Sequence, residues 1–333
     1  MASARQLVFD VGGTQLRAAI YDGANDTLSE VLSVEAPSFV KHPGLSWDEL
    51  RGRLVGEMTA LRACLDAAEP ALPVVIAFPG PVDGERRVVA APTLWGALGA
   101  YPHALETELE LEWPGSPVRV LNDVSAAGYR YLRGLDDHFC VVTVSTGIGN
   151  KVFVGGRPLV GPHGKGGEIG HLQIDPSPTA ASCDCGGRGH LGAIASGRGL
   201  VARAKECASR EPESFRRSIL ATELGHSPLT VSAEALAIAF GRHDAWATDR
   251  VTEAATALGA VLAGMHLAIG TERFVLIGGL AVGLGAPFSA AVSLAAASRC
   301  WVGSKGGFDV TLGASDGRCA LVGAGRAGAR GWI

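Results

Sequence analysis

No G-x-x-x-x-G-K-[ST] loop occurs anywhere in the 333 residues, which excludes a Walker-type phosphate site. There is no low-complexity linker and no basic cluster. With 29 Lys and Arg against 33 Asp and Glu, the net charge is −4, which argues against nucleic acid or an anionic membrane as the main partner. No long apolar span stands out. Met-Ala-Ser-Ala-Arg-Gln runs straight into an apolar strand, so the reading expects no signal peptide and a cytoplasmic protein. Charged residues make up only 19% and apolar residues 47%, the balance of a globular chain with one large core or two. Seven cysteines is an odd count, which speaks against a disulfide framework. Cys64, Cys140, Cys207, Cys300 and Cys319 sit in apolar surroundings and read as reduced core thiols.

What is present is an α/β alternation. Strands are expected at Gln6–Asp10, Leu16–Asp22 and Leu28–Val34, then at Val74–Phe78, Val118–Leu121, Phe139–Val144, Phe274–Ile277 and Phe308–Leu312. Helical spacing marks Trp47–Glu69, His103–Trp113, Ser125–Arg133, Val251–Ile269, Ala286–Ala297 and Gly317–Ala327. A strand–glycine turn–strand unit at the start is echoed at Val141–Val154, a repeat of fold rather than of sequence.

Three groups of residues carry chemistry. Asp10-Val11-Gly12-Gly13-Thr14 lies between the first two strands. Glycines let backbone N–H groups approach a phosphate, Thr14 adds a hydroxyl, and Asp10 could hold Mg²⁺; a plain Gly-Gly hairpin fits the same residues. Asn122-Asp123 ends a buried strand and opens a helix. There Asp123 could accept a proton from an alcohol, or serve only as a helix N-cap. Cys183-x-Cys185 with His171 and His190 makes a Cys₂His₂ set suited to tetrahedral structural zinc; two free thiols near exposed histidines is the alternative.

The chain resembles the ROK family of sugar kinases, within the actin-like ATPase superfamily. The resemblance rests on Asp10–Thr14, Ala77-Phe78-Pro79-Gly80-Pro81-Val82-Asp83, Asn122–Ala127, Ser145-Thr146-Gly147-Ile148-Gly149, Gly166–His171 and Cys183–Gly189, in the family's order. It implies an α/β, ribonuclease H-like fold with an interdomain cleft: residues 1–121 with a returning helix at 317–333, and residues 122–316 carrying the zinc loop. It also implies ATP with Mg²⁺, its phosphates met by Asp10, Gly12, Gly13 and Thr14 and by Thr146, Gly147 and Gly149, with Gly278 and Gly279 near the adenosine. Asp123 falls on the family's general base. Gly80, Thr93, Asn122, Glu168 and His171 are expected around the acceptor, a small polyol, with His171 also a zinc ligand. A homodimer is implied as well. A sugar-sensing repressor of this family would carry a helix-turn-helix ahead of the first motif, and only nine residues precede Asp10. A non-catalytic homologue is disfavoured by the intact Asp10, Thr14, Asn122, Asp123 and Gly147.

Three departures bear on the acceptor. His190 replaces the third cysteine of the family's C-x-C-G-x-x-G-C-x-E, Gly192 replaces its glutamate, and Thr93 replaces an asparagine. Losing a partner for a buried hydroxyl costs about 1–3 kcal/mol, which argues against a plain glucopyranose. The motif variant resembles kinases of C7-cyclitols, valiolone- or valienol-like, from aminocyclitol antibiotic biosynthesis. The expected product is then a 7-phosphate; glucose or another hexose or aminosugar, phosphorylated at its 6-hydroxyl, is the alternative.

Overall fold

The computed structural model describes residues 5–65, 71–96, 99–301 and 308–333. The chain divides into two compact units. Unit 1 is Met1–Asp137, Phe153–Gly166 and Arg318–Ile333; unit 2 is His138–Val152 and Gly167–Gly317. The sequence boundary at 121/122 differs from this division, because the helix Asp123–Tyr129 packs its Ala126 with Leu321 and Ala324 of the C-terminal helix Cys319–Ala329.

The first sheet contains β1 (Arg5–Val11), β2 (Gln15–Asp22), β3 (Thr27–Leu28), β4 (Leu32–Glu35), β5 (Val74–Phe78) and β6 (Val118–Asn122). Its order is β3-β2-β1-β5-β6, with β4 also paired to β2. β1 is antiparallel to β2 and parallel to β5, and β5 is parallel to β6. β5 reads Val-Val-Ile-Ala-Phe and is buried throughout, as a central parallel strand covered on both faces must be. The expected strand Leu28–Val34 is split: Ser29 bonds Ile20 through both its N–H and its Oγ, and the chain re-enters the sheet only at Leu32.

The second sheet contains β7 (Phe139–Val144), β8 (Ile148–Val154), β9 (Arg157–Pro158), β10 (Arg273–Ile277) and β11 (Asp309–Leu312), in the order β11-β10-β7-β8-β9. β10 is parallel to both β7 and β11. Leu258 and Leu262 of the helix Ala245–Ile269 and Leu284 and Phe288 of Gly279–Ala297 share one buried core with Val142 and Leu276. By length and composition alone, both helices could cross a membrane, so the expectation of no long apolar span does not hold by that measure. The helix expected at Ala286–Ala297 is present, and a shorter helical stretch from Gly279 runs directly into it. The two are separated by a kink at Gly285, whose φ of 74° only glycine adopts readily, just before Pro287.

One other expectation changes. Cys64 is exposed rather than in the core, since the stripe Leu50, Leu54, Met58 and Leu61 turns it outward; Cys140 and Cys300 are buried. The helix from Trp47 is described to Leu65, and the remainder of its expected span lies outside the described residues.

The C-terminal helix is tied to the hairpin of β2 and β3. Arg326 Nε donates to Asp26 Oδ1 at 2.8 Å, and the Tyr21 hydroxyl donates to the same oxygen at 2.5 Å. These bonds, led by the one from Arg326, hold the Asp26 carboxyl down at about 2, from 3.8. A depressed carboxyl contributes stability that is full above pH 3.8 and is lost as pH falls toward about 2. Asp26→Asn is therefore expected to lower Tm at pH 7. The gap to the parent should close as thermal melts are repeated down to pH 2; a gap independent of pH would contradict the assignment.

Candidate active site

In unit 1 the first glycine turn closes β1 onto β2. Gly12 N–H donates to the Gln15 carbonyl at 2.9 Å, and a Cβ on Gly12 would lie 3.0 Å from that same oxygen. Thr14 and Gln15 are exposed at the tip. Asp10 faces Arg17 across the hairpin, Nη1 to Oδ2 3.7 Å. Burial pushes the Asp10 carboxyl above its usual range, and Arg17 pulls the other way without cancelling the effect. A cation bound here would supply the missing compensation. Thr93 lies beside this turn: its Cβ is 3.8 Å from where a Gly13 Cβ would be.

Asn122 organises the other residues expected in this unit. Its Oδ1 accepts from the N–H groups of Val124 and Ser125, both at 3.1 Å, so Asn122 is the N-cap of the helix Asp123–Tyr129. Capping, one alternative role for Asp123, thus falls to its neighbour. The Asn122 Nδ2 donates to the Gly80 carbonyl at 3.0 Å and to Asp123 Oδ1 at 2.8 Å. That oxygen also accepts from Val124 N–H at 2.8 Å. Both hydrogens and both lone pairs of the Asn122 amide are used within the protein, a role beyond the expected contact with an acceptor hydroxyl. Gly80 is held at a φ of 112°, and a Cβ there would sit 2.3 Å from the Ala90 carbonyl oxygen. The following turn is pinned by Asp83. Burial would raise that carboxyl, but the Arg87 N–H at 2.9 Å and the Arg87 guanidinium outweigh it and hold it low.

In unit 2 the parallel register sets Ile277 beside Thr143, so β7 and β10 end together. The turn Ser145–Gly149 and the pair Gly278-Gly279 therefore meet at the carboxyl ends of adjacent strands, where α/β sheets commonly bind ligands. Gly278 has a φ of 97°, and a Cβ would lie 2.7 Å from the Val144 carbonyl oxygen. Beside them is a cavity of about 380 Å³ walled by Val201, Ala233, Ala237 and Leu280, with Thr146, Arg198 and Glu234 among its polar lining. The sequence offered no signal for that apolar wall, whose residues come from three separate helices.

Glu168 and His171 lie on a single 3₁₀ turn pressed against β8. A Cβ on Gly167 would fall 2.1 Å from the Asn150 oxygen, and one on Gly170 would fall 2.3 Å from the Ile148 oxygen. Both side chains belong to exposed residues.

Among the described residues, one metal-ligating cluster stands out: His171, Cys183, Cys185 and His190, with ligand atoms all within 4.8 Å of one another. Cys185 Sγ is 3.3 Å from His190 Nδ1, and Cys183 Sγ is 3.8 Å from His171 Nδ1. A tetrahedral ion with bonds of about 2.0–2.3 Å has ligand–ligand edges of about 3.3–3.8 Å, so these two Cys–His edges suit a zinc-sized ion. A Cβ on Gly187 would strike the His190 ring at 2.4 Å, which explains a glycine there.

An α/β protein with two sheets, each bearing a glycine turn at a strand end, has the architecture of the actin-like ATPase fold. The ROK family model matches residues 7–284. A C(7)-cyclitol 7-kinase of Streptomyces hygroscopicus subsp. jinggangensis is 37% identical over 286 residues, covering 85% of this chain and 81% of that protein. A 2-epi-5-epi-valiolone 7-kinase of Actinoplanes sp. is 32% identical, covering 86% of this chain and 80% of its own length. Among solved structures, a ROK family glucokinase from Streptomyces griseus in complex with glucose and AMPPNP superposes with a TM-score of 0.74 at 25% identity, covering 96% of this chain and 98% of that one. The chain belongs to the ROK family and stands with its kinases.

Asn122→Ala removes the helix cap and both tethers. It is expected to cost about 1–2 kcal/mol of stability, measured by urea unfolding. A variant as stable as the parent would show that the four bonds do not hold this region.

Proposed function

We propose that this kinase transfers the γ-phosphoryl group of ATP to the primary hydroxyl of a C7-cyclitol. The observation that carries the acceptor class is the 37% identity to a C(7)-cyclitol 7-kinase across 85% of the chain. Gly192 supports it: in place of the family's glutamate stands a residue whose Cβ would already be 3.1 Å from the Gly170 carbonyl oxygen, leaving little room for an acid. A cyclitol has no anomeric hydroxyl for such an acid to bind.

Asp123 is the base in this reading. As the acceptor oxygen forms its bond to the γ-phosphorus, the bond from phosphorus to the β–γ bridging oxygen breaks and ADP departs. The hydroxyl proton passes to the Asp123 carboxylate and later to water. Asn122 holds Asp123 Oδ1, keeping the carboxylate in one orientation. Backbone N–H groups at Gly13, Thr146, Gly147 and Gly149, with the Thr14 hydroxyl, would take the phosphates, while Gly12, whose own N–H is bonded to the Gln15 carbonyl, keeps the turn tight beside them. Asp10 would hold Mg²⁺, which offsets phosphate charge when bound, and Gly278 and Gly279 would border the adenosine. Glu168 and His171 contact the acceptor. Zinc at His171, Cys183, Cys185 and His190 would brace the loop that carries them, without entering the chemistry. A cytoplasmic homodimer completes the proposal.

The test is a coupled assay across valiolone-type cyclitols, glucose, mannose and N-acetylmannosamine, with the phosphate position read by NMR. A cyclitol 7-phosphate with the highest kcat/KM is expected; preference for glucose would replace this reading with the hexose one. Asp123→Ala should lower kcat by about 10²–10⁴-fold while ATP affinity stays within twofold. Near-parental turnover would remove Asp123 from the role of base. Chelation of the metal is expected to lower Tm and raise KM for the acceptor, and a purified protein without zinc by atomic absorption would defeat that assignment.

A further inference from the structure

Neither glycine turn contains a Lys or Arg: Asp10–Gln15 reads Asp-Val-Gly-Gly-Thr-Gln, and Ser145–Gly149 reads Ser-Thr-Gly-Ile-Gly. A triphosphate is polyanionic, and charge-assisted hydrogen bonds are the strong ones for holding it. Among the described residues lining the 380 Å³ cavity, the one cation is Arg198. It is the second residue of the helix Gly197–Arg210, and it is held against the second turn. Its Nε donates to the Thr146 carbonyl at 3.2 Å, and its backbone N–H reaches the same oxygen at 3.4 Å. The preceding N–H, of Gly197, donates to the Ser145 carbonyl at 2.7 Å. The Arg198 Nη2 lies 3.9 Å from where a Gly147 Cβ would be, and it is the nearest atom to that empty position. The glycine thus leaves open the space beside a guanidinium. On the far side, Arg198 Nη1 pairs with Asp184, the residue between Cys183 and Cys185. The two side chains are 61% and 67% exposed, so this pair contributes little to stability. Its effect is to orient the fork, whose planar N–H groups suit phosphate oxygens.

We propose that Arg198 is a phosphate-contacting residue for the nucleotide, and that Asp184 is the positioning residue that ties it to the Cys/His cluster. The loop of Cys183 and Cys185 thereby bears on triphosphate affinity as well as on the acceptor. This rests on the cavity being the nucleotide site. It adds a role for two residues 14 positions apart: Arg198, which lies outside the motifs, and Asp184, the variable position between the two cysteines.

Isothermal titration of the metal-loaded protein with AMPPNP and with adenosine tests it. Arg198→Ala is expected to weaken AMPPNP about tenfold or more and to leave adenosine within twofold, with partial recovery in Arg198→Lys. Asp184→Ala should weaken AMPPNP several-fold with adenosine unchanged and zinc content at the parental level, and Asp184→Glu should restore it. AMPPNP affinity unchanged in Arg198→Ala, or equal loss of both ligands, overturns the assignment. Loss of both ligands or of zinc in Asp184→Ala would make Asp184 merely structural and overturn its part. Ala237→Trp, which fills the cavity, separates the two readings. If it leaves both affinities intact, the cavity is not the nucleotide site, whatever Arg198 does.

Discussion

The amide of Asn122 is the junction on which the active region of unit 1 depends. One side chain caps a helix, anchors the Gly80 turn and holds one oxygen of Asp123. Each bond alone is worth about 1 kcal/mol, but they share one planar group, so the positions of turn, helix and carboxylate are set together. That geometry needs β6 to end where it does, next to β5, because the Gly80 turn leaves the end of β5. The buried run Val74–Phe78 serves this arrangement indirectly, by fixing where the Gly80 turn emerges beside the end of β6.

Unit 2 uses a different device. Its close approaches are made by glycines whose missing Cβ lets backbone lie on backbone: Gly167 and Gly170 on β8, Gly278 on the end of β7, Gly189 on the Asp175 carbonyl. Each sits where a side chain would collide with a carbonyl oxygen. The Cys/His cluster then ties the same loop from the other side. An ion held there would brace the loop that carries Glu168 and His171, beyond the packing of Ile169 and Ile174 on the core. In unit 1 polar groups are positioned by one amide, and in unit 2 by close backbone contact.

The pattern of apolar runs and glycine turns made most strands legible, since buried parallel strands are short, continuous and bounded by turn residues. It also exposed the Cys₂His₂ set, because metal ligands must be particular residue types. Helix starts were less legible. Ser125–Arg133 begins two residues earlier, at Asp123, because the cap is chosen by which side chain reaches the free N–H groups, and both Asn122 and Asp123 are good caps. The split of β3 from β4 and the extra helical stretch from Gly279 to the kink at Gly285 were hidden for the same reason: local propensity does not register a side chain bonding across a sheet or a kink allowed by one glycine.

Residue identity at short spacing was enough for the family, the two glycine turns, the Asn-Asp pair and the Cys₂His₂ set able to hold a metal. Tertiary structure alone decided that Asn122 rather than Asp123 caps the helix, that Gly278 abuts the Ser145 turn, and that Arg198 bridges Thr146 and Asp184. Those depend on strand register and on segments tens of residues apart reaching the same point, and no local pattern encodes where distant segments meet.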